Sequence, residues 1–132
     1  MKALDTNVLV RYLVQDDPQQ SRLAADYILT HCTEETPAYI HHVVLCELVW
    51  VLESAYGYER ELVADVVEKI FRTREFYIDA MSVAWAALHC YRDRKTDFAD
   101  GMIGMGNHFA GCDKTATFDK KAAKLDVFEE LR

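Results

Sequence analysis

The sequence predicts an α/β domain: a three-layer α/β/α sandwich in which helices cover both faces of a central parallel sheet. Two observations lead there. Short apolar runs of strand character alternate along the chain with longer runs whose apolar residues recur at helical spacing. Strands separated in this way pair in parallel through right-handed crossovers, which places helices on the sheet faces. The 132 residues suit one domain, 1–132, without linker, repeat or low-complexity stretch.

Lys2 to Leu4 is the first strand, ended by Asp5-Thr6-Asn7, and Val8, Leu9, Tyr12 and Leu13 continue as a helix. Asp17-Pro18 starts a second helix running to about His31. Pro37 to Ile40 is the second strand, and His41-His42 opens a strongly apolar helix from Val43 to about Tyr56, stopped by Gly57. Arg60 to Arg72 is a helix with Leu62, Val63, Val66, Val67 and Ile70 inward, followed by the third strand, Phe76 to Ile78. Ser82 to about Arg94 and Asp97 to Ala110 are the next helices, the latter ended by Gly111. Lys114 to Phe118 is the fourth strand, Lys120 to Lys124 a short helix, and Val127-Phe128 an edge strand.

Composition narrows the function classes. With 51% apolar and 28% charged residues, five glycines and two prolines, the chain is neither disordered nor fibrous. The longest apolar stretch, Val43 to Leu52, is broken by Glu47 and falls short of the roughly 18–20 residues of a membrane span. Met1 to Asp5 runs straight into patterned sequence without an apolar leader, so a cytoplasmic protein is expected. Cys32, Cys46, Cys90 and Cys112 form no Cys-x-x-Cys pair and read as reduced packing residues. The net charge of −7 argues against a broad basic nucleic-acid surface. It leaves room for a metal-dependent one, because bound cations themselves attract phosphate.

In open parallel sheets, ligands collect outside the carboxyl ends of the strands. Asp5 lies just past the first strand and Asp119 just past the fourth, although a helix cap or a turn accounts for either one alone. Glu47 has Val43, Val44, Trp50 and Val51 as helical neighbours, which places a carboxylate in an apolar face; a buried ion pair or an escape to solvent is the alternative. Asp97 suits a helix cap. Asp100 is followed by Gly101, Gly104 and Gly106, a costly composition for a helix that leaves space either for close packing or for substrate. Together Asp5, Glu47, Asp100 and Asp119 come from four segments that the sheet brings to one edge. Clustered acids repel unless a cation lies between them, and oxygen-only donors select Mg²⁺ or Mn²⁺. Such an ion is equipment for phosphodiester hydrolysis.

The motifs resemble those of the PIN-domain ribonucleases, and within them the VapC toxins of toxin–antitoxin pairs, over essentially the whole chain. The carriers are Leu4-Asp5-Thr6-Asn7-Val8-Leu9 with Arg11-Tyr12-Leu13, Cys46 to Leu52, Asp97-Phe98-Ala99-Asp100-Gly101-Met102-Ile103, and Gly111-Cys112 with Thr117-Phe118-Asp119. The resemblance implies that Asp5, Glu47, Asp100 and Asp119 are the acidic quartet, with Asp97 an auxiliary acid and Asn7, Thr6 and Thr117 in support. It also implies a strand order of 3-2-1-4-5, a homodimer, RNA as substrate and a small cognate antitoxin. The helix after Asp100 departs from the family pattern, which has alanines and leucines where this chain has glycines. Arg11, Arg92, Arg94 and Lys95 are candidate phosphate contacts, a solvated helix end being the alternative for the last three. Tyr12, Trp50 and Tyr56 are candidate walls of an antitoxin groove. His41 and His42 read as strand-end and helix-start residues.

Two rivals remain in view. One is a PIN-like domain that binds RNA or protein without cutting. The other, a phosphatase of the haloacid dehalogenase type, needs a second Asp two residues after Asp5, where this chain has Asn7.

Overall fold

The structure, a computed structural model, describes residues 1–132. Its helices are α1 (Thr6–Val14), α2 (Pro18–His31), α3 (His42–Ser54), α4 (Arg60–Phe71), α5 (Met81–His89) and α6 (Phe98–Phe109). Its strands are β1 (Ala38–Ile40), β2 (Phe76–Ile78), β3 (Thr115–Thr117) and β4 (Phe128–Glu130). Asp5 and Asp17 cap α1 and α2 with their carboxylates, and Pro18 stands in the first turn of α2, where a missing N–H costs nothing. The expected helix to Arg94 ends as an α-helix at His89 and continues as a π-helical turn, Cys90–Arg94, before Lys95 turns the chain with a left-handed φ of 55°.

β1 and β2 pair in parallel with Ala38, Tyr39 and Ile40 opposite Phe76, Tyr77 and Ile78. β3 and β4 pair in parallel with Thr115 opposite Phe128. The expected strand Lys2 to Leu4 is reduced to a single parallel bridge, Ala3 to Tyr39, held by Leu4 N–H to Tyr39 O at 3.2 Å and Tyr39 N–H to Lys2 O at 2.7 Å. Past Leu4 the chain turns at once into α1, so the pairing does not extend beyond that residue. The neighbours 3-2-1 and 4-5 of the expected order are therefore present, but no ladder joins the first segment to β3, and the sheet stands as two short pieces. One face of β1–β2 turns Ala38, Ile40, Phe76 and Ile78 into the core, whereas on the other face Tyr39 and Tyr77 stack with ring centres 5.8 Å apart and Tyr77 is 54% exposed.

The main core gathers Leu9, Ile40, Leu45, Leu48, Leu52, Val63, Val67, Ile70 and Leu88 between helices and β1–β2. A satellite of Cys90, Ala122, Leu125 and Phe128 lies separately under β4. This packing explains two of the three glycines of α6. A Cβ on Gly101 would stand 3.1 Å from Ala87 Cα of α5, and one on Gly104 would collide with the Phe128 ring, whereas Gly106 has room, with Val83 3.7 Å away. All four cysteines are free thiols. No helix is long and apolar enough to cross a membrane.

Candidate active site

Parallel pairing directs the carboxyl ends of the first segment, β1 and β2 to one edge, and each of these ends leads into polar residues: Asp5-Thr6-Asn7, His41-His42 and Asp79. Asp5 Oδ1 accepts the Thr6 N–H at 2.8 Å, so the capping role read as the plain alternative is realised. The buried Thr6 hydroxyl donates to Glu47 Oε1 at 2.6 Å, tying the start of α1 to the middle of α3. Asp5, Thr6, Asn7, Arg11 and Glu47 line one cleft of about 460 Å³, whose apolar walls include Trp50, 67% exposed, and Tyr56.

Glu47 is exposed, which corrects its placement inside a covered apolar face. The buried stripe of α3 is Leu45, Leu48, Val49 and Leu52, and Val43 and Trp50, the apolar neighbours that suggested burial, are themselves at the surface. Trp50 thus belongs to the cleft rather than to the core. Tyr12 does the reverse: it packs edge-on against Phe76, 6.3 Å between ring centres, and does not line that cleft.

The other acids come from α6 and the end of β3. Asp97 is the N-cap residue of α6, without a side-chain cap bond, and Asp100 stands in its first turn, partly buried. Burial pushes the Asp100 carboxyl above its ordinary value, and the negative charges of Asp97 and Asp119 push it further, with Lys121 opposing. Asn107 of α6 donates to Thr115 Oγ1 of β3 at 3.0 Å, so β3 runs alongside α6 and Asp119 follows just past its end, 19 residues beyond Asp100 in sequence. Asp119 Oδ1 accepts the N–H groups of Lys121 at 2.8 Å and Ala122 at 3.3 Å, and Thr117 Oγ1 accepts the Asp119 N–H at 3.0 Å.

Asp5, Glu47 and Asp119 share a pattern: one oxygen of each is fixed by a hydrogen bond from the chain, and the other is not bonded to it. None of Asp5, Glu47, Asp97, Asp100 and Asp119 pairs with a lysine, arginine or histidine, in a chain with 15 lysines and arginines and five histidines. Oriented, unpaired hard oxygens suit a hard divalent cation, so the donor set fits Mg²⁺ or Mn²⁺. Their oxygens are spread more widely than those of a preformed cage, the three-residue group with ligand atoms within 4.8 Å of one another being His41, His42 and Asp79 instead.

The basic candidates divide. Arg11 faces the cleft, fixed by Asp16 at 2.9 Å and Gln20 at 2.7 Å. Its neighbour Tyr56 donates to Asp16 at 2.8 Å, a bond that holds the Asp16 carboxyl below its ordinary value. Arg92 departs from its reading as a phosphate contact: its guanidinium is taken up by Asp65 and Glu68 at 2.6 Å and Glu61 at 3.5 Å. Arg94 donates to Lys124 O at 2.8 Å, and Lys95 is exposed. Asn7 lies beside Asp5 in the cleft.

Sequence reasoning missed Arg60 and Asp79. Arg60 Nη1 donates to the carbonyls of Tyr91 at 3.1 Å and Thr96 at 2.9 Å, and its guanidinium lies 4.2 Å over the Tyr91 ring, clamping the segment that delivers Asp97. Tyr91 in turn donates to Glu53 at 2.5 Å, and burial pushes its phenol well above the ordinary range. Nothing in the local sequence marks Arg60, whose partners are backbone atoms more than 30 residues away. Asp79 was legible by the rule that found Asp5, as the residue just past a strand end. His41 and His42 fulfil their expected place, His41 capping α3 by accepting the Val43 N–H at 3.0 Å.

Comparison with known proteins gives two matches and one blank. The family model described as PIN domain matches residues 2–127. A VapC ribonuclease of Aquifex aeolicus (strain VF5) is 26% identical over 125 residues, covering 95% of this chain and 92% of that protein. No solved structure matches the chain.

Proposed function

The chain belongs to the PIN domain family, and from that premise we propose that it is a Mg²⁺- or Mn²⁺-dependent endoribonuclease, the toxin component of a toxin–antitoxin module. The observation that carries the reading is the set of five acids without an ion-pair partner, three of them oriented through one oxygen with the other left for a ligand. Similarity to a VapC ribonuclease over nearly the whole chain supports the same reading.

Asp5, Glu47, Asp100 and Asp119 would hold the ion, with Asp97 beside them. Bound there, the ion supplies an activated water and neutralises charge on the leaving oxygen of a phosphodiester. The chain's own residues do the rest. Thr6 fixes Glu47, and Thr117 and the turn after it fix Asp119, so the carboxylates meet the ion with little reorganisation. Arg11 offers a guanidinium to the RNA backbone at the cleft, with Arg94 and Lys95 as further contacts, and Trp50 and Tyr56 offer faces for unpaired bases. In the cytoplasm of its host the enzyme works as a homodimer and is restrained by a small antitoxin whose basic side chain enters among the acids in place of the ion. The reading without cutting rests on the glycines of α6 and on the acidic surface; packing against Ala87 and Phe128 accounts for two of the glycines.

The test is cleavage of a mixed RNA pool by purified protein with Mg²⁺, Mn²⁺ or chelator, with Asp5→Asn as the contamination control. Cleavage with either metal, absent with chelator and from the variant, is expected; equal cleavage by both proteins overturns the assignment. For the toxin role, expression of the chain alone should slow growth and co-expression of a neighbouring small reading frame should restore it. Harmless expression of the folded wild type would remove the toxin role while leaving the nuclease assay to decide the chemistry.

A further inference from the structure

We propose that His41, His42 and Asp79 form a second cation site, for a borderline divalent ion typified by Zn²⁺, bridging the carboxyl ends of β1 and β2 and using none of the acids of the cleft. The ring nitrogens and carboxylate oxygen of these three residues lie within 4.8 Å of one another. His42 Nδ1 is 2.6 Å from Asp79 Oδ2, and the two imidazoles stack with centres 4.3 Å apart at 27°. Zn–N bonds of about 2.0–2.1 Å set tetrahedral donors roughly 3.4 Å apart. The His42–Asp79 pair therefore has to open slightly and His41 to swing inward, which side-chain rotation supplies because His41 is exposed.

Ligand chemistry separates this site from the cleft. Two imidazoles and one carboxylate favour Zn²⁺ or Co²⁺, whereas all-oxygen donors favour Mg²⁺. No lysine or arginine pairs with Asp79, whose close partner is the imidazole of His42. The Asp79 carboxylate is fixed in place by His42, whose Nδ1 lies 2.6 Å and whose backbone N lies 3.4 Å from Asp79 Oδ2. Its charge offsets the positive end of α3, which otherwise disfavours a cation there. Without metal the three side chains have structural duties, His41 capping α3 and His42 fastening to Asp79. Ligation through His41 Nδ1 exchanges its cap bond to Val43 for a bond to the ion and leaves open positions for water.

The test is equilibrium dialysis of the full chain with Zn²⁺ in the presence of excess Mg²⁺, with the visible spectrum of Co²⁺-loaded protein and thermal melting as companion readouts. Wild type and an Asp5→Asn/Asp100→Asn double variant should both bind one Zn²⁺ and melt higher with it. His42→Gln and Asp79→Asn should bind at least tenfold more weakly. The exposed His41→Gln serves as the variant that keeps its fold if Asp79→Asn does not, and should show the same loss. Absence of Zn²⁺ binding, equal binding by all variants, or loss confined to the cleft double variant would each overturn the proposal. Nuclease activity enters none of these readouts, so failure here is distinct from failure of the ribonuclease assignment.

Discussion

Thr6 carries much of the site's order, because its hydroxyl is buried and its one acceptor is the Glu47 carboxylate. Thr6→Val keeps the shape and removes that bond, and a hydrogen bond to a charged group contributes about 1.5–3 kcal/mol. Cleavage should fall by roughly tenfold or more with little change in circular dichroism. Asp5→Asn goes further, abolishing cleavage while leaving the melting transition intact, since the amide oxygen still caps α1 but no longer offers charge to an ion. Asp100 makes a prediction about pH. Its carboxyl is pushed above the ordinary value of 3.8 by burial and by Asp97 and Asp119, so the folded state resists its ionisation. The cost is absent below the unfolded value, grows as pH rises through it, and is full above the folded value. In chelator at pH 7, Asp100→Asn should therefore melt higher than wild type, and the advantage should vanish in acid; a lower neutral melting point would show that the charge is compensated. Glu47 shows where reading at this scale stops. Its neighbours at helical spacing reveal an apolar face, but whether that face is covered depends on what packs against α3, and Val43 and Trp50 are left uncovered.

At the scale of elements, the helices were legible within a few residues because caps and apolar spacing are local signals, as at Asp17-Pro18 before α2 and Gly57 after α3. Strands were legible in place but not in extent. Three residues carry too little alternation to separate a ladder from a bridge, and the capping of α1 by Asp5, a feature outside the strand, cut the first one short. The glycines of α6 were legible as unusual and ambiguous as to cause, since Ala87 and Phe128 approach from elsewhere in the chain. Their different surroundings predict opposite responses. Gly106→Ala should raise stability by up to about 1 kcal/mol through helix propensity. Gly104→Ala should lower it by about 1–3 kcal/mol, because the Phe128 ring must shift. Urea unfolding of the two variants checks both signs at once.

For the whole molecule, a net charge of −7 means that nucleic acid is not held by a broad positive field. RNA binding in chelator should be weak and should depend only shallowly on salt, because few cationic side chains replace counterions. Mg²⁺ should strengthen it, and a steep salt dependence without divalent ions would point to a basic surface elsewhere on the molecule. The architecture has a consequence for motion. β3, β4 and the satellite core of Cys90, Ala122, Leu125 and Phe128 form a cluster separate from the main core, held to it chiefly through α6 and joined to no strand of the other sheet. A unit with so small a core of its own is expected to open without global unfolding. Amide protons of Thr117 and Leu131 should then exchange with deuterium sooner than those of Leu48 or Val67, and with a weaker denaturant dependence. Asp119 rides on this unit, so each opening withdraws one carboxylate from the other acids. A divalent ion that binds all four would close the unit and slow exchange there selectively, making isotope exchange at β3–β4 a reporter of site assembly that needs no RNA.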